Sequence, residues 1–428
     1  MEPPGRQSEP APSGRELIAD RSVVTFLLTA TASTVATTLQ AAALGKQLYD
    51  ITDSELALGL LGLVEFLPAL VLLPLTGSAA DRFDRRRVAA IAASVEVLTS
   101  VLFCLYAAGD PTSAVPIFAI AALFGTARAF AAPSFRSLPP LIAPDRGLPR
   151  LMALYSGTWQ FGLIVGPASS GFLYDIDPTV PYLVAAGCFG VAALMVNTLT
   201  MRREQERTPA DERPSLHHAL EGLRFIRGQP VLLGAIALDM FAVLFGGAVA
   251  LLPAIAEDRL GVGNVGYGWL RAAPGIGAVV VTAMLAIRPV SRRVGRTLLV
   301  AVAVFGAATI VLGLTRSYVV AFVALVVLAG ADSISVFIRA TLVPLATPDH
   351  MRGRVMAVEN VFIGASNELG AFESGVAAVL LGVGPAVTLG GFLTLGVVGI
   401  WWFVFPPLRD IDRFEDVVPD EVPRVATT

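Results

Sequence analysis

Charged side chains stand inside long apolar runs of this chain: Glu65, Glu96, Arg128, Asp239, Arg271, Asp332, Arg339, Glu359, Glu368 and Glu373. A carboxylate in apolar surroundings can take up and release a proton, because burial favours its neutral form and a neighbouring cation its charged form. A charge at the centre of a lipid bilayer costs roughly 2.5 kcal/mol or more, so such groups face a cavity or a partner. Arg339 and Glu359 lie near the ends of their runs, where a structural role is the simpler reading. Glu65, Asp239 and Glu368 lie deeper, and there a structural and a proton-handling role both stand. Asn367 shares a run with Glu368 and Glu373, and the two glutamates point to different helix faces.

Other chemistries find no footing. His217, His218 and His350 lack metal-site spacing. Cys104 and Cys188 sit inside apolar runs and read as packing residues rather than a disulfide. There is no glycine loop to cradle a nucleotide and no soluble domain large enough to hydrolyse ATP. The pattern is not that of an enzyme, a cofactor protein or a nucleic-acid binder. Energy for any work must come from an ion gradient, and a proton gradient is the expectation.

The runs that hold these charges set the architecture. The chain is 55% hydrophobic and 15% charged with a mean hydropathy of +0.70, whereas soluble chains carry about 25% charged residues. A membrane helix needs about 20 mostly apolar residues. Such runs occur at roughly 23–48, 55–80, 87–108, 113–135, 151–175 and 179–200, then at 231–256, 264–287, 297–315, 318–345, 355–382 and 385–405. Between the sets lies a polar stretch, 201–230, in which Leu216, Leu220, Leu223 and Ile226 recur at helical spacing. We expect a short amphipathic helix on the membrane surface there.

Loop charge alternates. Arg82 to Arg87, Arg146, Arg150, Arg202 to Arg227, Arg292 to Arg296, Arg352 and Arg354 fall on one side. Asp50, Asp53, Asp110, Asp175, Asp177, Glu257 and Asp258 fall on the other. Basic loops stay inside, so both termini are expected in the cytoplasm, with tails 1–22 and 406–428 and a cytoplasmic-membrane location. The polar, Pro-rich start has no signal-peptide core.

The halves 23–200 and 231–405 repeat. A shift of about 204 residues carries Leu138, Pro140, Leu141, Pro144, Asp145, Arg150, Met152 and Ala153 onto Leu342, Pro344, Leu345, Pro348, Asp349, Arg354, Met356 and Ala357. Gly166, Ser170 and Gly171 fall on Gly370, Ser374 and Gly375, and Arg128 falls on Asp332. Two parallel six-helix halves place a substrate path between them near the midplane.

Two motifs give the pattern a family likeness. The turn Gly77, Asp81, Arg82, Arg85, Arg86, written G-x-x-x-D-R-x-x-R-R, resembles the loop between the second and third helices of major facilitator superfamily transporters. Gly162, Gly166, Pro167 and Gly171, with Ser170 where a glycine is usual, are similar to the antiporter motif on the fifth helix of that family's exporters. The competing reading of the latter is helix packing by small residues. The resemblance spans about residue 22 to residue 405. It extends to the branch of enterobactin (siderophore) exporters and multidrug permeases.

That resemblance implies an all-α membrane protein with twelve transmembrane helices in two pseudo-symmetric six-helix bundles, the major facilitator fold. It implies a monomeric, proton-coupled exporter of a bulky organic solute, siderophore or drug. The alternative is an importer of a small nutrient, and a sensor on a transporter fold is a third reading. Asp81 would dock at the start of the eleventh helix near Arg354 and hold an inner gate shut; export by an Asp81→Asn chain tests this. Asp84 stands where the family has glycine, and asparagine-like tolerance of a left-handed turn is expected of it. Arg128 resembles the fourth-helix arginine of facilitator antiporters and would tune a nearby acid among Glu65, Asp239, Asp332 and Glu368. Phe241, Phe245, Trp269, Asn367 and Glu373 are candidates for the path, and for the aromatic three a lipid-facing or core position is the competing reading.

Overall fold

The computed structural model of the chain describes residues 14–203 and 216–417, apart from the side chains at 73, 74, 77–82 and 216–219. Each expected apolar run is helical, and each except 231–256 forms a single long helix. We number these α1 Arg21–Thr52, α2 Glu55–Arg82, α3 Arg85–Ala107, α4 Val115–Ser137, α5 Leu148–Ile176, α6 Val180–Asn197, α7 Pro230–Phe245, α8 Asn264–Ile287, α9 Val294–Leu314, α10 Tyr318–Leu345, α11 Asp349–Leu381 and α12 Val383–Val404. Among the described residues, ten candidate spans are long and apolar enough to cross a membrane. They leave out α5 and α11, which carry Thr158 and Gln160, and Glu359, Asn367, Glu368 and Glu373. More polar helices belong where two halves meet, and those two do pack across the middle.

Local chemistry sets the ends. Asp20 caps α1, accepting from Ser22 N at 2.9 Å and Val23 N at 3.2 Å, which satisfies amides that have no partner inside the helix. The α1 helix stops at Asp53, whose φ of 45° leaves the helical region. Proline in the first turn opens α4, α5, α6 and α7, where its missing N–H costs nothing.

Two expectations need correcting. Asp84 does not take a left-handed turn: its φ is −59°, and it caps α3 by accepting from Arg86 N at 2.9 Å. The helix Leu216–Gly228 exists, but it does not simply lie on a lipid surface. Phe225 and Ile226 bury against Leu232 and Ile236 of α7 and Met351, Val355 and Val358 of α11. Leu220, expected on its apolar face, is exposed. The apolar stripe is rotated toward Phe225, because the docking surface is protein.

The run 231–256 is not one helix. After Phe245 the backbone tightens into a 3-10 turn over Gly247–Leu251 and then loosens into a π turn over Ile255–Arg259. Gly246 and Gly247 explain the break, since a Cβ at Gly247 would strike the Gly370 carbonyl of α11 and one at Gly246 the Phe305 ring. Irregular backbone at membrane depth is tolerated where protein or a cavity surrounds it.

Helices α1 to α6 pack chiefly on one another, as do α7 to α12, and the halves meet through α2 on α11 and α5 on α8. The bundle has two chemically distinct ends. One carries Asp50, Asp175, Glu257 and Asp258; the other carries Arg85 to Arg87, Arg292, Arg293 and Arg352. We call them the acidic and basic ends.

Candidate functional site

A cavity of about 410 Å³ lies between the halves. Its wall includes Glu65 of α2, Arg128 of α4, Arg271 of α8, Asp332 of α10, and Asn367 and Glu368 of α11. Four of the five proton-coupling candidates, drawn from both halves, therefore share one space.

Backbone contacts set these positions. Gly125 of α4 lies against the backbone of Glu65, where any side chain would overlap the Glu65 carbonyl. One turn on, Arg128 reaches the Glu65 carboxylate at 3.6 Å while its guanidinium sits 5.8 Å from the Phe124 ring. Gly62, one turn before Glu65, leaves room for the Glu368 carboxylate arriving from the other half. Arg271 donates to the Val249 carbonyl at 2.8 Å. That carbonyl belongs to the 3-10 turn of α7, so the break in α7 supplies the acceptor that holds Arg271. Sequence reasoning gives Arg271 no role; its signal was a cation on the expected eighth helix beside a Gly-Gly pair on the seventh.

Asp239 stands elsewhere. It pairs with Arg339 at 2.7 Å, and Arg339 reaches Glu359 at 3.6 Å. This triad joins α7, α10 and α11 toward the basic end, and Arg339 and Asp239 are both buried. Arg339 and Glu359, for each of which a structural role near a helix end is the simpler reading of the sequence, meet in an ion pair of which Asp239 is the third member. Glu96 is buried in α3 and does not belong to the cavity wall.

The aromatic candidates are misplaced. Phe241 and Phe245 stack on each other with centroids 6.3 Å apart, and Phe241 meets Trp401 of α12 at 5.7 Å. They pack on the core of the second half, while Val243, Gly246, Gly247 and Ala250, at helical spacing, give the face that looks into the cavity. Trp269 and Glu373 also lie off the cavity wall. The rings that do line it are Tyr267 and Phe305.

The small-residue motif of α5 does two jobs. Gly162 and Gly166 lie on Thr34 and Thr38 of α1, with Thr38 Oγ1 donating to the Gly162 carbonyl at 2.8 Å. Gly171 instead meets Gly268 of α8 across the halves. Pro167 has no N–H to offer the Leu163 carbonyl one turn back. Gly275 of α8 comes against that freed carbonyl, which a Cα–H contact can partly satisfy.

At the acidic end, hydrogen bonds join the halves above the cavity. Lys46, the chain's only lysine, binds Asp50 on its own helix and Glu257 across the interface, the latter at 2.8 Å. Tyr49 donates to Asp258, Asn264 to Asp175 at 3.2 Å, and Tyr267 to the Ala42 carbonyl at 2.9 Å, while Tyr174 donates to Asp50 within the first half at 2.8 Å. Sequence reasoning missed this network, although a lone lysine in an arginine-rich chain marks it.

At the basic end, the side chains of Gly77, Asp81 and Arg82 lie outside the described residues. Arg85 donates to the Ser137 carbonyl at 3.2 Å and Arg86 to the Leu199 carbonyl at 2.9 Å, tying α3 to the ends of α4 and α6. Arg354 pairs with Glu221 of the linker helix at 2.6 Å.

The sequence model of the Major Facilitator Superfamily matches residues 22–371. The multidrug efflux pump Tap of Mycolicibacterium fortuitum is 27% identical over 378 residues, 84% of this chain and 89% of that one. Macrolide efflux protein A of Streptococcus pyogenes is 25% identical over 215 residues, 48% of this chain and 52% of its own length. Among solved structures, a POT family transporter in complex with a thioalcohol conjugated peptide superposes with a TM-score of 0.71 at 11% identity, covering 91% and 97% of the two chains. A D-xylose-proton symporter does so with a TM-score of 0.69 at 14% identity, covering 90% and 98%.

Proposed function

This chain belongs to the Major Facilitator Superfamily, and we propose that it exports a bulky, drug-like organic solute in exchange for protons, by alternating access. It is a multi-pass membrane transporter of small molecules, not an enzyme. The relatives' names are those of drug pumps, which favours the drug arm of the sequence expectation over the siderophore arm.

The carrying observation is the cavity of about 410 Å³ with its charged wall. Its volume suits a small organic molecule. Glu65, Asp332 and Glu368 face Arg128 and Arg271, which leaves a carboxylate without a matching cation. A proton balances it in one half of the cycle and a cationic group of the solute in the other. Positive-inside topology makes the basic end cytoplasmic. The hydrogen-bonded acidic end is then the outer mouth, held shut while solute is taken from inside.

The test is efflux of a fluorescent lipophilic cation in inside-out vesicles, with and without a protonophore. Arg128→Ala and Asp332→Asn are each expected to lower proton-driven flux by about a hundredfold, the scale of losing a positioned proton group. Unchanged proton-dependent flux in both would sink the reading.

A further inference from the structure

The wall of the central cavity is double at Asp332. Behind it, between α7, α9 and α10, is a second cavity of about 10 Å³. Asp332, Val243 and Phe305 belong to both walls, and the small cavity is closed by Asp239 and Ser335. Its size matches one water, which needs roughly 10–15 Å³ of such space and two to four polar partners. Three polar side chains face it. Ser335 is 2% exposed, and its hydroxyl makes no hydrogen bond that would account for its burial. A buried hydroxyl without a partner is costly.

We propose that this cavity binds one water, and that Asp332, the water and Asp239 form a proton path from the solute cavity to the Arg339–Glu359 pair. The proposal rests on the proton-exchange reading above. The step balances: Asp332 releases a proton to the water, the water passes one to the Asp239 carboxylate, and the water remains neutral. Once neutral, Asp239 gives up its hold on Arg339, which keeps Glu359 as its counter-ion. Because Asp239 sits on α7, Arg339 on α10 and Glu359 on α11, the proton loosens α7 from its neighbours. Besides Asp239 and Arg339 on its own side, the charged groups on the wall of the central cavity that Asp332 shares are Glu65, Arg128, Arg271 and Glu368. Ser335 is a positioning residue: it orients the water and does not itself titrate.

Purified protein in liposomes separates this proposal from the reading beneath it. If the wild-type chain shows no dye efflux driven by a pH gradient, the proton-exchange reading fails. If it does, Ser335→Val, which removes the hydroxyl and fills the space, is expected to lower gradient-driven efflux by about a hundredfold. Dye counterflow, which moves no net protons, should stay intact. Ser335→Ala, which leaves room for the water with one partner fewer, should lose about threefold. Full gradient-driven efflux by Ser335→Val overturns the proposal. A density map of the wild-type protein that resolves ordered waters decides it independently of any variant's folding. Density between Ser335 Oγ, Asp239 and Asp332 is expected, and its absence overturns the proposal.

Discussion

The two halves fill equivalent positions near the basic end with opposite chemistry. Under the repeat of about 204 residues, Arg339 and Glu359 of the second half correspond to Phe135 and Tyr155 of the first. Phe135 is buried in an apolar cluster with Phe26, Leu138 and Leu151, and Tyr155 meets Phe26 with ring centroids 5.1 Å apart. The second half has a buried guanidinium between two carboxylates instead. Rings are the more stable way to fill such a space, because removing charges from water often outweighs their mutual attraction. The first half demonstrates that the fold does not need ions there. An ion triad at that position fits the proton path proposed above, with the rings of the first half as the purely packed, scaffold counterpart at this level and Glu65 and Arg128 of that half on the cavity wall.

The strongest break of this comparison is at Arg339. Arg339→Leu leaves Asp239 and Glu359 buried without their cation, and a loss of about 3–5 kcal/mol is expected. Thermal melting of the purified protein in detergent reads it. Moving the first half's chemistry across, as Asp239→Leu with Arg339→Phe and Glu359→Tyr, removes all three charges together. That chain should melt at or above the wild-type temperature yet lose gradient-driven efflux. If it is both stable and coupled, the halves differ only in packing, and the proton role assigned to the triad is wrong. Phe135→Ala is the companion on the scaffold side. It should lose about 3 kcal/mol by opening a cavity while the protein that remains folded still couples.

The same contrast explains what the sequence could and could not convey. Twelve apolar runs and alternating loop charge are properties of the chain alone, so helix number, the polar break and the repeat were legible. The pairing of Arg128 with a second-helix acid was open among four candidates. It is settled by Gly125, a residue with no chemistry of its own that lets α2 come close. Phe241 and Phe245 of α7 and Trp269 of α8 are, on sequence alone, candidates for the path with a core or lipid-facing position as the competing reading, and all three stand off the cavity wall. The Lys46 network and the Ser335 cavity depend on distant segments coming together: Lys46 meets Glu257, and Ser335 and Asp239 line one cavity. Periodicity carries no information about such contacts.

The smallest difference between the halves lies in the turns that begin α3 and α9. In the first half the cap is local: Asp84 binds Arg86 through backbone and side chain, at 2.9 Å and 3.0 Å. In the second, Arg293 stands at the cap position with a φ of 53° and no capping side chain. The acid arrives from the C-terminal tail, where Asp412 accepts from Arg293 N at 3.1 Å and Arg292 Nη2 at 3.2 Å. Hydrogen bonding by Arg86 holds the Asp84 carboxyl below its ordinary value, so its contribution is complete above the unfolded carboxylate range and fades as pH falls through the lower folded value. The ionic part is screened because 35% of the Asp84 side chain is open to solvent. Asp84→Ala should therefore lose about 1 kcal/mol, mostly the cap itself. That loss should persist across neutral pH and shrink only in acid, as read by melting temperature against pH. Asp412→Ala removes a contact made by a separate segment, so it should leave global melting nearly unchanged while releasing the tail to proteolysis after α12. Equal losses of melting temperature for both substitutions would mean that the tail is as integral to the second half as the local cap is to the first. The asymmetry would then be confined to the triad.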